Sequence, residues 1–296
     1  MVNTTGRRGF RGAAVVTGAG SGIGRSIAMA LAARGLGVVV ADVEDDAADA
    51  VAKEIVESGH RAIGLGVDVR DRDAVEAMAD RAENEFGPVS VLVNNAGVTL
   101  RPFRASWDTS DQDFRWIMDV NFWGVVNGHM AFVRRMLNGS GERHIVNTAS
   151  TAAIHPFAGH SAYSASKGAV DAFSVAVRAE LQTQGIGVSV LYPGPIKTRI
   201  TSSARLRPES EATESTSVKP WSDYVGTSGN NLVETADVGG RLPNRASMPY
   251  EIIDSDAVGE IVLDGIDNHR PYILTHPPHE DLIELRRNEL IDGRPR

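Results

Sequence analysis

Apolar positions along the chain fall into short continuous runs that alternate with amphipathic stretches. Ala13–Val16, Val38–Asp42, Ala62–Val69, Val89–Val93, Arg143–Ala149 and Val188–Pro193 read as strands. Such runs, rich in β-branched residues, suit parallel strands covered on both faces. Between them the 3.6-residue period predicts helices through Ile27, Ala28, Ala30 and Leu31, then over Glu44–Ser58, Asp71–Phe86, Asp113–Leu137 and Tyr163–Gln184. Gly35, Gly59, Gly87 and Gly185 close helices and return the chain to strands. Six strands alternating with helices predict an α/β fold, a doubly wound parallel sheet with helices on both faces, as one domain over residues 1–296.

The rhythm breaks over Thr201–Met248, which is rich in Ser, Thr, Pro, Glu and Gly and carries only scattered Trp221, Tyr224, Leu232 and Val233. A stretch this long is not a silent loop, so residues 201–250 are expected to form a substrate-lid insertion, partly disordered. Order is expected again in a helix over Asp254–Asp267, a short strand over Pro271–Thr275 and a polar helix over Glu280–Ile291.

Composition removes several function classes. A net charge of −8 without a basic stripe argues against a nucleic-acid partner. No apolar run is long enough to cross a bilayer. The absence of cysteine excludes disulfides, thiol catalysis and cysteine-ligated metal, and fits the cytoplasm. Arg7-Arg8 resembles part of an export signal, but the run that follows, Ala13–Val16, leads straight into glycines, so a cytoplasmic location is expected. His144, His155, His160 and the His276/His279 pair show no ligand spacing, and no metal is expected.

The first strand ends in Thr17-Gly18-Ala19-Gly20-Ser21-Gly22-Ile23-Gly24 and a helix follows. Strand, glycine turn and helix together aim backbone N–H groups at a pyrophosphate. The second strand ends in Asp42, placed to accept hydrogen bonds from an adenosine ribose and to repel a 2′-phosphate. Neither Ser21 nor Val43 offers a compensating charge and Arg25 lies inside the helix, so NAD is favoured over NADP. Asp42 also suits a helix cap, and the two roles are compatible. Asn94-Asn95-Ala96-Gly97 follows the fourth strand, either joining strand ends beside a ribose or making an ordinary turn. Asn121, polar among Val120, Phe122 and Trp123, is placed to hold a water or to bond backbone.

Tyr163 and Lys167 stand four residues apart, on one face of a helix. A phenol is a poor proton acceptor at neutral pH, and a neighbouring ammonium favours its ionised form. Ser150, arriving from the end of the fifth strand, could share a substrate oxygen with the phenol. A surface ion-and-phenol pair is the plainer reading, but Lys53, Lys167, Lys197 and Lys219 are the chain's only lysines.

In order and spacing, Thr17-Gly-x-x-x-Gly22-Ile23-Gly24, Asp42, Asp68-Val69, Asn94-Asn-Ala-Gly97, Asn121, Ser150, Tyr163-x-x-x-Lys167 and Pro193-Gly194 with Thr198 resemble the short-chain dehydrogenase/reductases, in their non-extended branch, over about residues 11–200. The resemblance implies a Rossmann-like fold and an NAD-dependent oxidoreductase interconverting a secondary alcohol and a ketone. It implies Tyr163 as acid/base, Ser150 polarising the substrate oxygen, and Lys167 acting on Tyr163 and the nicotinamide ribose. It implies that the backbone carbonyl of Asn121 holds a relay water. Gly22 and Ile23 would meet pyrophosphate, Asp68 and Val69 the adenine, and Asn94 and Gly97 the ribose side. Ile196 and Thr198 would fix the carboxamide, and Gly18, Gly24, Ala96, Pro193 and Gly194 would also border the cofactor. By the same resemblance the long helices assemble a homotetramer or homodimer. The run Pro193–Ile200 and the ending Tyr272–His276 are similar to benzylic-alcohol dehydrogenases of lignin-dimer breakdown, which suggests a hydrophobic or aromatic alcohol. Phe103, Trp107, His155, Phe157 and Trp221 are candidate pocket walls. The alternatives are a non-catalytic NAD-binding sensor, which would need only the cofactor half, and an NADP-linked carbonyl reductase, which Asp42 disfavours.

Overall fold

The computed structural model describes residues 9–208, 219–225, 251–278 and 280–293. In chain order these form β1 (Ala13–Thr17), α1 (Gly22–Ala33), β2 (Gly37–Asp42), α2 (Asp45–Glu57), β3 (Arg61–Gly66), α3 (Arg72–Phe86), β4 (Val89–Asn94), α4 (Asp111–Met118) and α5 (Gly124–Asn138). Then follow β5 (Arg143–Thr148), α6 (Thr151–Ile154), α7 (Ser161–Gln182), β6 (Ile186–Tyr192), β7 (Ile196–Lys197), α8 (Ser222–Val225), β8 (Ile253–Asp254), α9 (Val258–Asp267), β9 (Tyr272–Leu274) and α10 (Glu280–Asp292).

Seven strands pair in parallel in the order β3-β2-β1-β4-β5-β6-β9, the Rossmann-like doubly wound sheet that the strand and helix alternation predicts. Because side chains alternate across a strand, each central strand feeds two cores. Ala14, Val16, Val38, Val40, Val91 and Val93 meet Ile27, Leu31, Val51, Ile55, Val262 and Ile266 of α1, α2 and α9. Val15, Val39 and Leu92 meet Val75, Met78, Phe132, Met136, Val177 and Leu181 of α3, α5 and α7 on the other face. Burying a Val, Leu, Ile or Phe side chain is worth about 1.5–3 kcal/mol, so a sheet coated on both faces can carry polar strand ends. The winding reverses between β1 and β4, leaving a crevice at the strands' carboxyl ends.

The structure redraws several expected boundaries. The helix expected over Asp113–Leu137 begins at Asp111, where Ser110 and Asp113 form a reciprocal capping box. It is also not uniform: a π-helical turn over Asp119–Trp123 joins α4 to α5 and contains Asn121. The third strand stops at Gly66, short of Val69, because Asp68 leaves the sheet to bond Arg70. Helix α7 starts at Ser161, two residues before Tyr163. Helix α6 and the two-stranded parallel sheet β7–β8 are too short to leave a periodic signal.

Of the expected lid, residues 201–208 and 219–225 are described: a 3-10 helix over Arg199–Leu206 and α8, while 209–218 and 226–250 lie outside the described residues. Arg7, Arg8 and His279 also lie outside them. Among the described residues no helix is long and apolar enough to cross a membrane.

Helices α1 and α9 touch at Gly259, where an added Cβ would stand 2.4 Å from the Ser26 carbonyl oxygen and 2.9 Å from the Ala30 Cβ. Gly259→Ala is therefore expected to destabilise the fold by about 1–3 kcal/mol through overpacking. A lower urea midpoint with unchanged slope is the expected reading, and an unchanged midpoint would contradict that close packing.

Candidate active site

The crevice at the carboxyl ends of the strands is lined from three directions: by the turn after β1, by the loop after β4, and by Ser150, Tyr163 and Lys167. The first two are joined by hydrogen bonds. Thr17 Oγ1 accepts from the backbone N–H groups of Asn95 (3.0 Å) and Ala96 (3.1 Å), and Asn95 Nδ2 donates to the carbonyls of Thr17 (3.0 Å) and Gly18 (3.2 Å). Gly18 has φ +63°, and a Cβ there would lie 2.7 Å from the Ala96 Cα. The turn therefore needs glycine for both its conformation and its close approach.

Helix α1 begins at Gly22 and opens its unpaired backbone N–H groups towards the cleft, where Gly22 and Ile23 are exposed to a ligand. Thr198 crosses directly opposite, its Cγ2 3.1 Å from where a Gly22 Cβ would stand. Gly24 packs inward, with a would-be Cβ 2.2 Å from the Gly18 carbonyl oxygen. The shape fits a pyrophosphate-bearing dinucleotide: Gly18 and Gly24 let the turn pack closely on the loop after β4 and on itself, and Gly22 leaves the helix N-terminus bare where it meets the cleft.

Asp42 stands at the rim with both carboxylate oxygens oriented by backbone. Oδ2 accepts from Gly20 N (2.9 Å) and Oδ1 from Glu44 N (3.0 Å). It thus serves the start of α2 and still lines the cleft. Arg25, the nearest candidate to accept a 2′-phosphate, is engaged by Glu54 and by Asp256 (3.1 Å). Arg205 and Arg199 reach across the cleft to Glu44 at 2.6 and 3.4 Å. The Arg205 hydrogen bond leads in holding the Glu44 carboxyl below its usual range, against an opposing effect of burial.

Lys167 is 2% exposed. Its Nζ donates to the Thr148 carbonyl at 2.8 Å and lies 5.8 Å from the centre of the Tyr163 ring. Burial pushes the ammonium down to about 8, because the charged form loses its water. Ser150 caps α6, its Oγ accepting from Ala152 N at 3.1 Å, which leaves the hydroxyl proton to be donated elsewhere. The Tyr163 ring is stacked on His160, centroids 4.4 Å apart and planes at 15°.

Asn121, fully buried, bonds backbone rather than standing free. It accepts from Val98 N (2.8 Å) and donates to Val98 O (3.0 Å) and Ser166 Oγ (2.9 Å). Ser166 in turn donates to the Tyr163 carbonyl at 2.8 Å. Gly97 lies between Lys167 and Asn121, a would-be Cβ 3.3 Å from Nζ and 3.4 Å from Oδ1. The loop after β4 is thereby tied to the helix that carries Tyr163.

Most of the expected residues reach this cleft, including Asp68, Val69, Ala96, Gly97, Pro193, Gly194, Ile196 and Thr198. Asn94 does not line it. It is 2% exposed at the end of β4, and its Nδ2 donates to Asn147 Oδ1 at 2.9 Å, while Asn147 Nδ2 reaches Ser174. Asn95 stands in the cleft instead. The Asp68 carboxylate turns to Arg70, receiving Nη2 at 2.7 Å. Burial raises the affinity of that carboxyl for its proton, but the hydrogen bonds and charge of Arg70 outweigh this and hold it below its usual range.

Gly194 N donates to Thr275 Oγ1 (2.9 Å), whose neighbour His276 bonds the Glu251 carbonyl (2.9 Å). Among the wall candidates, Phe103 and Phe157 pack on His160, whereas Trp107 is 69% exposed against Trp221 and Tyr224, and His155 ends α6. The sequence alone does not mark Thr17, Asn95, Ser166 or His160 as site residues. The first two sit inside the glycine and Asn-Asn motifs, and the others carried no separate signal. Among the described residues no three His, Cys, Asp or Glu side chains converge as metal ligands.

The profile of the short chain dehydrogenase family matches residues 12–209. The chain is 32% identical to the C alpha-dehydrogenase of Sphingobium sp. over 281 residues, covering 95% of this chain and 85% of that protein. It is 41% identical over 195 residues to the probable oxidoreductase EphD of Mycobacterium tuberculosis, a match covering 65% of this chain and only 33% of that longer relative. The crystal structure of a short chain dehydrogenase/reductase from Burkholderia phymatum in complex with NAD superposes with a TM-score of 0.83 at 32% identity, covering 96% of both chains.

Because Lys167 holds its proton less tightly folded, at about 8, than unfolded, near 10.4, the unfolded chain binds more protons between those values. Its penalty is present in full below pH 8 and is relieved as pH rises towards 10.4. Urea titrations at pH 7.5 and pH 10 should show Lys167→Met lacking part of the wild-type gain in stability at the higher pH. Identical pH dependence in the two proteins would contradict the burial of this ammonium.

Proposed function

The chain belongs to the short-chain dehydrogenase family, and from that premise we propose an NAD-dependent oxidoreductase that interconverts a secondary alcohol and a ketone, with Tyr163 as acid/base. That it is an oxidoreductase acting on CH–OH groups follows from the family. The finer reading rests above all on one observation: Ser150, Tyr163 and the buried Lys167 line the same cleft as the glycine turn and Asp42.

A nicotinamide dinucleotide bound in the cleft supplies the hydride acceptor. The chain's own residues manage the oxygen. Ser150, already accepting from Ala152 N, donates its hydroxyl proton to the substrate oxygen. Tyr163 takes the carbinol proton during oxidation and returns one to the carbonyl oxygen in reduction. The Lys167 charge, little screened in its buried position, favours the ionised phenol. The backbone carbonyl of Asn121, in the π-helical turn, is the proposed anchor of a relay water.

On the cofactor side, the N–H groups at Gly18, Gly22, Ile23 and Gly24 would hold the pyrophosphate. Asp42 would receive the adenosine ribose, and Asp68 and Val69 would border the adenine. Ala96 and Gly97 would flank the second ribose, and Pro193, Gly194, Ile196 and Thr198 the carboxamide. Preference for NAD is supported by the Asp42 and Glu44 carboxylates at the rim and by the prior engagement of Arg25, Arg199 and Arg205 with acidic partners.

A hydrophobic or aromatic substrate is supported by Phe103 and Phe157, which pack on the imidazole stacked against Tyr163, and by similarity along nearly the whole chain to a protein named C alpha-dehydrogenase. Trp123, Met130 and Val175, large apolar residues exposed on the π-helical turn, α5 and α7, offer a face for a homodimer or homotetramer. A cytoplasmic setting is supported by the cysteine-free composition.

NADH formation at 340 nm against benzylic, alicyclic and steroidal secondary alcohols, with NAD and NADP in parallel, tests the assignment. Turnover with NAD on a secondary alcohol is expected, and NAD binding without turnover across the panel would count against it. Tyr163→Phe is expected to abolish turnover while NAD affinity stays within about fivefold, and normal turnover would exclude Tyr163 as acid/base. Asp42→Ala is expected to narrow the NAD over NADP preference by about tenfold, the loss of roughly one charged hydrogen bond. An unchanged ratio would remove Asp42 from ribose recognition.

A further inference from the structure

The backbone of His160 caps α7, its carbonyl accepting from Ser164 N at 2.9 Å, while its side chain lies over the side chain of Tyr163. Three rings enclose the imidazole: Tyr163 parallel to it at 4.4 Å and 15°, Phe157 at 4.6 Å and 37°, and Phe103 edge-on at 4.7 Å and 63°. Its position is set from the other direction by a hydrogen bond, Nε2 to Thr99 Oγ1, at 2.9 Å.

Thr99 is itself immobilised. Its N–H donates to Ser203 Oγ at 2.9 Å and its carbonyl accepts from the same hydroxyl at 2.9 Å, Ser203 being 1% exposed. Ser203 belongs to the 3-10 helix that follows Thr198, at the root of the expected lid. A continuous physical chain thus runs from that helix through Thr99 and His160 to the ring of Tyr163.

We propose that His160 is a positioning residue for Tyr163: its imidazole, seated by Thr99, fixes the plane of the phenol and the direction from which the hydroxyl meets the substrate oxygen. This rests on the reading of Tyr163 as acid/base given above. The backbone of Tyr163 is anchored by Ser166, but an anchored backbone still leaves the side chain its staggered rotamers. A parallel ring at van der Waals distance removes those that leave the stack. Proton transfer requires near-attack geometry, and an error of about 1 Å can cost up to a hundredfold in rate. Loss of the stack should therefore act on the chemical step and spare the cofactor, whose cradle His160 does not line.

The test is steady-state kinetics with the best alcohol, together with NADH binding by fluorescence, on His160→Ala, His160→Phe and Thr99→Val. His160→Ala is expected to lower kcat about tenfold, with KM and NADH affinity within about twofold. His160→Phe, which keeps a ring to stack but cannot bond Thr99, should recover kcat to within about threefold of wild type. Thr99→Val should fall between the two.

A His160→Ala enzyme with kcat within twofold of wild type would overturn the proposal. So would a folded His160→Phe enzyme as slow as His160→Ala, since imidazole chemistry rather than ring plane would then be at work. Tyr163→Phe, run alongside, separates the two ideas. Normal turnover there defeats the acid/base reading itself, whereas an inactive Tyr163→Phe beside a normal His160→Ala defeats only the positioning role.

Discussion

A buried ammonium group governs the architecture of this protein's cleft. Taking a charge out of water costs several kcal/mol even after relaxation, and Lys167 is fully covered with the Thr148 carbonyl 2.8 Å from its Nζ. That cost is tolerated because the site is built tightly around it. Thr148 ends β5, Gly97 leaves just enough room beside Nζ, and Asn121 closes the far side through its bonds to Val98 and Ser166. Each partner comes from a different element, so the ammonium is in place only when β4, β5, the π-helical turn and α7 have all docked. A charge so held acts on its neighbour through little screening, and the neighbour one helical turn away is a phenol.

The cofactor half depends on the same logic applied to uncharged groups. One threonine hydroxyl and one asparagine amide join the turn after β1 to the loop after β4, at the point where the sheet reverses its winding. Two loops that would each be mobile alone become one wall, and the helix N-terminus behind it keeps its N–H groups pointed outward. Asp42 is oriented by two backbone N–H groups, so its carboxylate is held at the cleft without a search through rotamers.

Much of this was legible in the chain because local rules governed it. Apolar, β-branched runs marked six of the seven strands of the main sheet, and the short run over Pro271–Thr275 marked the seventh. The glycine turn, Asp42 and the Tyr163/Lys167 pair could be read because each is marked by residue types at short, fixed spacing or at a strand end, even though their partners lie farther along the chain. Asn94 shows where such reading stops. Consecutive strand residues face opposite ways, and nothing local tells which of Asn94 and Asn95 turns to the cleft. The answer depends on Asn147 and Ser174, 53 and 80 positions along the chain, which claim Asn94 for the interior. The π-helical turn was equally invisible, because a single widened turn barely disturbs the apolar period of the rod containing it.

What the sequence by itself determined, then, is the alternation of strands and helices, the place of the glycine turn, and which side chains are candidates to move a proton and hold a dinucleotide. These follow from backbone sterics and side-chain period, which act over a few residues. Only the tertiary structure decided that Lys167 is buried, that Arg25 is spent on Glu54 and Asp256, that Asp68 faces Arg70, and that His160 lies flat on Tyr163. Burial, charge pairing and ring stacking depend on which distant segments share a small volume, and that is set when the layers pack.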